Sequence, residues 1–180
     1  MESVVMRLRN VSLGKRERAL TIILAFVASL AVTLAGALSS MSTSEAHEIS
    51  KEVKEMLPDL MSVPAIFRNN FLHCLLMFTP VFGLFYAFYV LYSTGRVLAA
   101  LAMVSGINPG ALFGITFFLP HAWIEYTAYA LAMSQGVWLV LGVAQRRFKA
   151  EAKNTGISIV VCALLLLSAA AIEMALLQIL

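Results

Sequence analysis

The amino-acid sequence predicts an all-α membrane protein: a polytopic helix bundle of about five transmembrane helices, with one external amphipathic helix. Three observations indicate this fold class. Hydrophobic residues make up 61% of the 180-residue chain and charged residues only 13%, whereas soluble domains typically carry about 25% charged residues. The charges crowd into three segments, at 7–18, 45–59 and 146–153. The apolar runs between them reach the ~20 residues that a helix needs to cross a bilayer.

The chain begins with a basic lead, residues 1–18, which we expect in the cytoplasm. The segment 19–40 then continues for 22 residues without a charge. This is longer than the ~7–15-residue apolar part of a cleavable signal peptide, so it is predicted to be the first transmembrane helix. Small residues recur on it at every fourth position and form a face that lets another helix approach closely: Ala25, Ser29, Thr33 and Ala37.

The polar segment that follows is predicted to hold an amphipathic helix at about 44–57, outside the membrane. Ser42 and Glu45 have the spacing of a capping box, in which each side chain caps an exposed backbone N–H of the first turn. Apolar residues then recur at helical spacing, while acids and lysines take the opposite face. This pattern favours a helix that lies on the membrane surface or against the bundle.

The remaining four spans are predicted at about 70–92, 97–119, 120–144 and 156–178, all within one membrane domain, 19–180. Pro80 falls inside the first of them and is expected to bend it, because proline removes a hydrogen bond from the helix. Asn108 and Pro109 break the second at its middle. A re-entrant hairpin at Asn108 is the alternative to a full span there.

The positions of the basic residues favour the five-span arrangement. Lysine and arginine collect on the cytoplasmic side of a membrane, so the basic lead and the segment 146–149 should lie on the same side. Four crossings separate them in the five-span reading, but only three if 97–119 is re-entrant. The N-terminus is therefore predicted inside the cell membrane and the C-terminus outside, with Arg96 inside.

A set of polar residues is predicted to share one layer in the outer third of the membrane: Asn70, His73, His121, Glu125 and Glu173. Charged groups in lipid are costly and are functional candidates by default. Glu125 lies five residues after the start of its span, and Glu173 lies five residues before Gln178. At ~1.5 Å per residue both carboxylates are about 7–8 Å deep.

Two readings of this layer stay open: a hydrogen-bonded cluster that locks the bundle, or a ligand, ion or proton site. His121 and Glu125 are four residues apart and share a helix face. Zinc normally takes three or four ligands, so this pair leaves metal binding undecided. Hydrolytic catalysis is a third reading, but the chain lacks a second motif such as His-Glu-x-x-His. We predict no catalytic residue and no cofactor.

Glycines give a second pattern. Gly106, Gly110 and Gly114 recur at steps of four after Ala102, which predicts close contact with another helix. A broken helix near the bilayer midplane can also mark a transport site, and Asn108 lies at that depth. Close packing is the preferred interpretation, because no internal repeat accompanies the break.

The predicted partners are the lipid bilayer and either further copies of the chain or other membrane proteins. The net charge of +3 comes from basic residues at membrane edges, so no nucleic-acid partner is predicted. Cys74 and Cys162 both lie in apolar runs and are interpreted as small membrane-embedded residues rather than a disulfide framework.

Several motifs between Ile66 and Leu141 point to a family. They are the entry Phe67-Arg68-Asn69-Asn70, the internal Gly83, the turn Ser93-Thr94-Gly95, and the stretch Leu119-Pro120-His121-Ala122-Trp123-Ile124-Glu125. In these features the chain resembles the stage II sporulation protein M family, whose members read Pro-His-Gly-x-x-Glu where this chain has Ala122.

The resemblance implies a non-enzymatic membrane scaffold that organises envelope or membrane-remodelling partners. In spore-forming bacteria the family's namesake works in engulfment of the forespore, where it is similar to an anchor that recruits cell-wall hydrolases. The resemblance assigns no catalytic role to His121 or Glu125. The alternative function is a subunit of a transporter or channel with a polar site in the outer third of the membrane, and the third is an intramembrane metal-dependent hydrolase.

Overall fold

The computed structural model describes residues 14–179, except the side chain of Leu60, and the first 13 residues of the basic lead lie outside this part. The described residues form seven helices and no strand, which confirms the all-α membrane bundle. The helices are α1 Lys15–Ala37, α2 Thr43–Leu60, α3 Val63–Met77, α4 Phe82–Ser105, α5 Pro109–Phe118, α6 Pro120–Ala144 and α7 Phe148–Ile179.

Four of these helices, α1, α4, α6 and α7, are long and apolar enough to cross a membrane. Helix α3 has 15 residues and α5 has 10, and both are shorter than the ~20 residues of a typical span. The sequence divided the same apolar residues into five spans, and the second and third of those have different bounds in the structure.

The predicted span 70–92 is wrong as a single helix, because the chain reverses at Pro80. Val81 has φ 63°, and the N–H of Phe82 donates to the carbonyl of Pro80 at 2.7 Å. This is a classical γ-turn, a rare and strained way to turn a chain, and it occurs here on a β-branched residue. Helix α4 then runs back antiparallel to α3, so that His73 faces Tyr86.

The predicted span 97–119 is also wrong as a single helix. Helix α4 continues through Arg96 to Ser105 and ends at Gly106, whose φ of 68° is left-handed. Asn108 then caps α5 by accepting a hydrogen bond from the N–H of Ala111 at 3.2 Å. The motif Ser93-Thr94-Gly95, which the sequence placed in a turn, lies inside α4.

The contacts between helices fix their directions. Helix α6 runs antiparallel to α1, since Ser134 meets Thr21 and Tyr126 meets Thr33, both at 2.8 Å between hydroxyl oxygens. Helix α7 runs antiparallel to α6, because Glu151 packs on Gly142 and Cys162 on Ala128. We call the two ends of the bundle the Arg18 end and the Glu125 end.

The closest helix contact joins α1 and α4. A Cβ added to Gly95 would collide with the carbonyl of Thr33, and one added to Gly36 would collide with the carbonyl of Tyr92. Ser29, Thr33 and Ala37 on the predicted small-residue face of α1 are buried. Lipid supplies no hydrophobic force between helices, so close van der Waals contact of this kind holds them together.

The other glycines predicted to pack, Gly106, Gly110 and Gly114, make no close contact with the backbone of another helix within the described chain. Nothing lies within 4 Å of a Cβ built on Gly106 or Gly114, and Gly110 meets only side-chain atoms of Asn108 and Leu38. The break at Asn108 puts Gly106 in a cap instead of on a helix face. The glycines that pack closely within the chain lie instead on α1 and α4, at Gly36 and Gly95.

Helix α2 matches the predicted amphipathic helix and extends it by a few residues at its C-terminal end. Ser42 accepts a hydrogen bond from the N–H of Glu45 at 3.2 Å, as the capping box predicts. The carboxylate of Glu45 turns away to pair with Arg96. The first half of α2 packs against the bundle through Ala46 and Ser50, and the residues from Lys54 to Asp59 are exposed.

Candidate functional site

A polar groove opens at the Glu125 end between α3, α6 and α7, with α2 at its rim. Its volume is about 210 Å³. The residues that line it are Leu57, Met61, Ile66, Asn69, Asn70, Glu125, Glu173 and Leu177. Three of the five residues predicted to share a polar layer therefore meet here: Asn70, Glu125 and Glu173.

A hydrogen bond between helices organises this groove. The side-chain amide of Asn70 donates to Oε1 of Glu125 at 2.5 Å, and Asn69 donates to Oδ1 of Asn70 at 3.2 Å. Glu173 lies close enough for its charge to act on Glu125. The carboxylate of Glu125 thus joins α3 to α6 and faces a second carboxylate across the groove.

The two histidines do not join the groove. Nδ1 of His73 hydrogen-bonds the hydroxyl of Tyr86 at 2.7 Å, which fastens α3 to α4 across the γ-turn hairpin. Nδ1 of His121 is buried and has no hydrogen-bond partner in the described part of the chain. Within that part, no three histidine, cysteine, aspartate or glutamate side chains converge in a way that could hold a metal ion.

A buried, mostly apolar core lies beneath the groove, and we call it the dry core. Cys74 and Cys162, from α3 and α7, are fully buried, and both sulfurs contact the carbonyl of Ala128, at 4.0 and 3.3 Å. Tyr129 is buried in the same core, one helical turn from Glu125 on α6, and the hydroxyl of Tyr126 is hydrogen-bonded to the hydroxyl of Thr33 on α1. Several buried residues complete the layer: Met77, Ala132, Met133 and Leu166.

A second polar network closes the Arg18 end. Arg18 and Glu151 form an ion pair at 2.5 Å, and the glutamate side chain is only 4% exposed. Gln135 donates to Thr155 at 3.1 Å, and the indole of Trp138 donates to Thr21 at 2.8 Å. The ion pair joins α1 to α7, and the bonds of Gln135 and Trp138 join α6 to α7 and to α1, so this network ties the three helices together.

The charge of Arg96 lies at the opposite end of the bundle from Arg18, so the prediction that both share one side of the membrane is wrong. Its guanidinium pairs with the carboxylate of Glu45 and donates to Ser39 at 3.2 Å. Both partners follow α1 in the chain, so Arg96 holds α2 against α4. The charge of Arg96 in an apolar run predicted a loop. In the structure the residue lies within a helix, because Glu45 on α2 supplies the opposite charge.

Sequence reasoning missed the contributions of Glu151, Gln135 and Gly95. Glu151 is an acid inside a basic segment, and Gln135 is an amide inside an apolar span. A polar residue of either kind indicates a specific hydrogen-bond or ion-pair partner, because unpaired polar groups are costly in lipid. The contact of Gly95 with α1 has no comparable signal, since it depends on how two helices cross.

Four membrane-length helices, joined by polar contacts at both ends and sealed by an apolar core between them, define a helical integral membrane protein. The model of the family described as stage II sporulation protein M matches residues 19–176. The chain therefore belongs to the stage II sporulation protein M family, as its motifs suggested. Neither the curated proteins nor the solved structures contained a match.

Proposed function

We propose that this protein is a non-enzymatic membrane scaffold that organises envelope or membrane-remodelling partners. Membership of the stage II sporulation protein M family supports the proposal. The observation that carries it is the dry core between the two polar ends. Glu125 and Ser134 are nine residues apart on α6, about 13.5 Å at 1.5 Å per residue, and the buried layer around Ala128 and Met133 separates them. Such a bundle is built to stay closed.

The proposed orientation puts the Arg18 end in the cytoplasm and the Glu125 end outside. The ion pair of Arg18 with Glu151 supports it, because it brings the start of α1 and the start of α7 to one end. The basic residues at 15–18 and 146–149 then share a side, as the positive-inside rule requires. The C-terminus and α2 lie outside in this proposal.

Helix α2 is the proposed platform for partners, which are other membrane or envelope proteins or a second copy of the chain. Arg96 anchors its first half, and its second half exposes apolar side chains next to charged ones. Neighbouring exposed apolar side chains that are rimmed by polar residues form the kind of patch that marks an interaction surface. Met56 and Leu57 are the exposed apolar residues of this half, and exposed Met61 follows directly after the helix.

Site-specific photo-crosslinking in native membranes tests the scaffold. A photoreactive residue in place of Met56 should give discrete adducts heavier than the chain by the mass of a protein. The control replaces Val160, an exposed residue in the apolar part of α7, and should give only lipid adducts. Identical adduct patterns at the two positions would contradict a platform on α2.

The groove supports a second candidate function, a subunit of a transporter. Two carboxylates in a cavity at one end of a bundle are a common feature of ion pathways. Transport would require the layer around Cys74 and Cys162 to open. Purified chain in liposomes, assayed for proton leak with a trapped pH dye, tests this candidate: a leak that Glu173→Gln abolishes would favour transport over the scaffold.

A further inference from the structure

The groove at the Glu125 end has walls of two kinds. Leu57, Met61, Ile66 and Leu177 form apolar walls, and Glu125 and Glu173 project acids between them. Its ~210 Å³ would hold several water molecules at about 30 Å³ each, so it also has room for a small organic group. The apolar walls come from three separate parts of the chain, and the two acids from α6 and α7.

The two carboxyl groups in this cavity have no basic partner from the protein. None of its lining residues, all of them in the described part of the chain, is basic. Asn70 satisfies one oxygen of Glu125, while the second oxygen and the carboxylate of Glu173 have no hydrogen bond to a described residue. Two carboxylates at one site in a partly apolar environment strongly favour a bound cation or a shared proton.

The donor set argues against a divalent metal. Calcium takes six to eight oxygen ligands, and the described residues contain no group of three ionisable ligands that converge on one point. An ammonium group differs, because it needs only a few acceptors for its N–H groups. Its alkyl stem would contact the apolar walls.

We propose that this groove binds an organic cation, a primary ammonium carried on a short alkyl stem. The ammonium lies between Glu125 and Glu173, and the stem lies along Leu57, Met61 and Leu177. A soluble amine and the headgroup of an aminophospholipid both present this chemistry. The absence of a basic lining residue leaves a lipid phosphate without a partner, which favours the soluble amine. This inference does not depend on the scaffold function.

Thermal unfolding of the purified protein in detergent, with n-hexylammonium as the probe, tests the site. A ligand that binds only the folded state raises the unfolding midpoint as its concentration rises. We expect such a rise for the wild-type chain with n-hexylammonium, and none with neutral 1-hexanol or with sodium at equal ionic strength. Glu173→Gln should weaken the effect by about 10-fold or more, because it removes one of the two charges.

The matched control is Glu48→Gln, which removes an acid from the exposed face of α2 and should respond like wild type. Glu125→Gln is the second groove variant if Glu173→Gln does not fold. Stabilisation that needs aminophospholipid in nanodiscs and is lost in the groove variants assigns the site to a lipid headgroup. An equal response to hexanol or sodium, or an unchanged response in both groove variants, overturns the proposal.

Discussion

At the scale of single residues, the protein pairs several membrane-embedded polar groups with a defined partner on another helix. Hydrogen bonds join Asn70 to Glu125, Tyr86 to His73, and Thr33 to Tyr126. Each pair crosses between helices that are distant in the sequence or separated by a turn. Interhelical hydrogen bonds are a principal means of association in lipid, so these pairs determine which helices are neighbours.

The bond from Asn70 gives the first prediction. Glu125→Gln keeps an oxygen that can accept from Asn70, whereas Glu125→Ala leaves the amide of Asn70 without a partner. The amide of Asn70 is half-buried, and a hydrogen bond of this kind contributes about 0.5–1.5 kcal/mol. We expect the alanine variant to unfold at a clearly lower temperature in detergent and the glutamine variant to unfold close to wild type. Equal loss in both variants would mean that the charge, and not the hydrogen bond, holds the helices.

The close contact of Gly95 with α1 gives the second prediction. Gly95→Ala introduces a Cβ that collides with the carbonyl of Thr33, and over-packing of this kind costs about 1–3 kcal/mol. Gly114→Ala is the matched control, since nothing lies within 4 Å of its Cβ. Thermal unfolding in detergent should separate the two variants by several degrees. If Gly114→Ala were the more damaging variant, the predicted stripe on α5 would face a partner after all.

At the scale of elements, sequence reasoning located the breaks but misjudged what they do. Pro80 and Asn108 were both expected to disturb a continuous span. Hydropathy cannot distinguish a bend from a reversal when the turn itself is apolar, and the turn from Thr79 to Phe82 contains no charged residue. The charge of Arg96 also suggested a loop within α4, so the sequence predicted a span boundary where the helix is continuous. The true ends of α4 lie at the γ-turn and at Gly106, both set by backbone conformation.

The same limit applies to the candidate site. Asn70, Glu125 and Glu173 were grouped by depth alone, and the structure brings them together because α3, α6 and α7 are neighbours. His73 and His121 satisfy the same depth rule, but their side chains point to other surroundings. The depth of a residue follows from counting residues at 1.5 Å each. The direction of its side chain depends on how the helix is rotated about its axis. A helix that is apolar on all sides gives no sequence signal for that rotation.

The attachment of α2 can be tested on its own. Glu45→Gln removes the charge that pairs with Arg96, so the first half of α2 should detach more often from α4. Trypsin should then cleave after Lys51 or Lys54 about 2- to 5-fold faster, as expected for loss of a partly exposed ion pair. Glu48→Gln removes an equivalent charge from the exposed face and should leave the cleavage rate unchanged. Faster cleavage in both variants would attribute the effect to net charge.

At the scale of the whole molecule, the two ends differ in chemistry. The Arg18 end is closed by an ion pair and an indole, and the Glu125 end opens into an acidic groove under α2. The family model matches residues 19–176, which include both ends of the bundle. The proposed scaffold function would use this combination of a closed interior and an exposed surface at one end.

The proposed orientation predicts which positions face the outside. Asn108 and Leu38 both lie beside Gly110, so Asn108 is near the C-terminal end of α1, at the Glu125 end, and not at the predicted midplane depth. Single cysteines in place of Glu48 and Asn108 should react with an impermeant maleimide on intact cells, in a background with alanine at both native cysteines. A cysteine in place of Ala150 should react only after the membrane is opened. All three residues are exposed in the structure, so a difference in their reaction with the maleimide reports the side of the membrane on which each lies. Reaction of the residue-150 variant from outside would reverse the orientation.

The central claim is that a dry core separates the two ends, and the native cysteines report on it directly. Wild-type chain in liposomes is treated with a small water-soluble methanethiosulfonate, and intact mass is measured. A sealed core predicts that Cys74 and Cys162 react only after denaturation, while a Leu177→Cys variant reacts at its groove position about 100-fold faster or more. Modification of either native thiol in the folded protein, at a rate near that of the groove position, would show a water-filled path and contradict the scaffold.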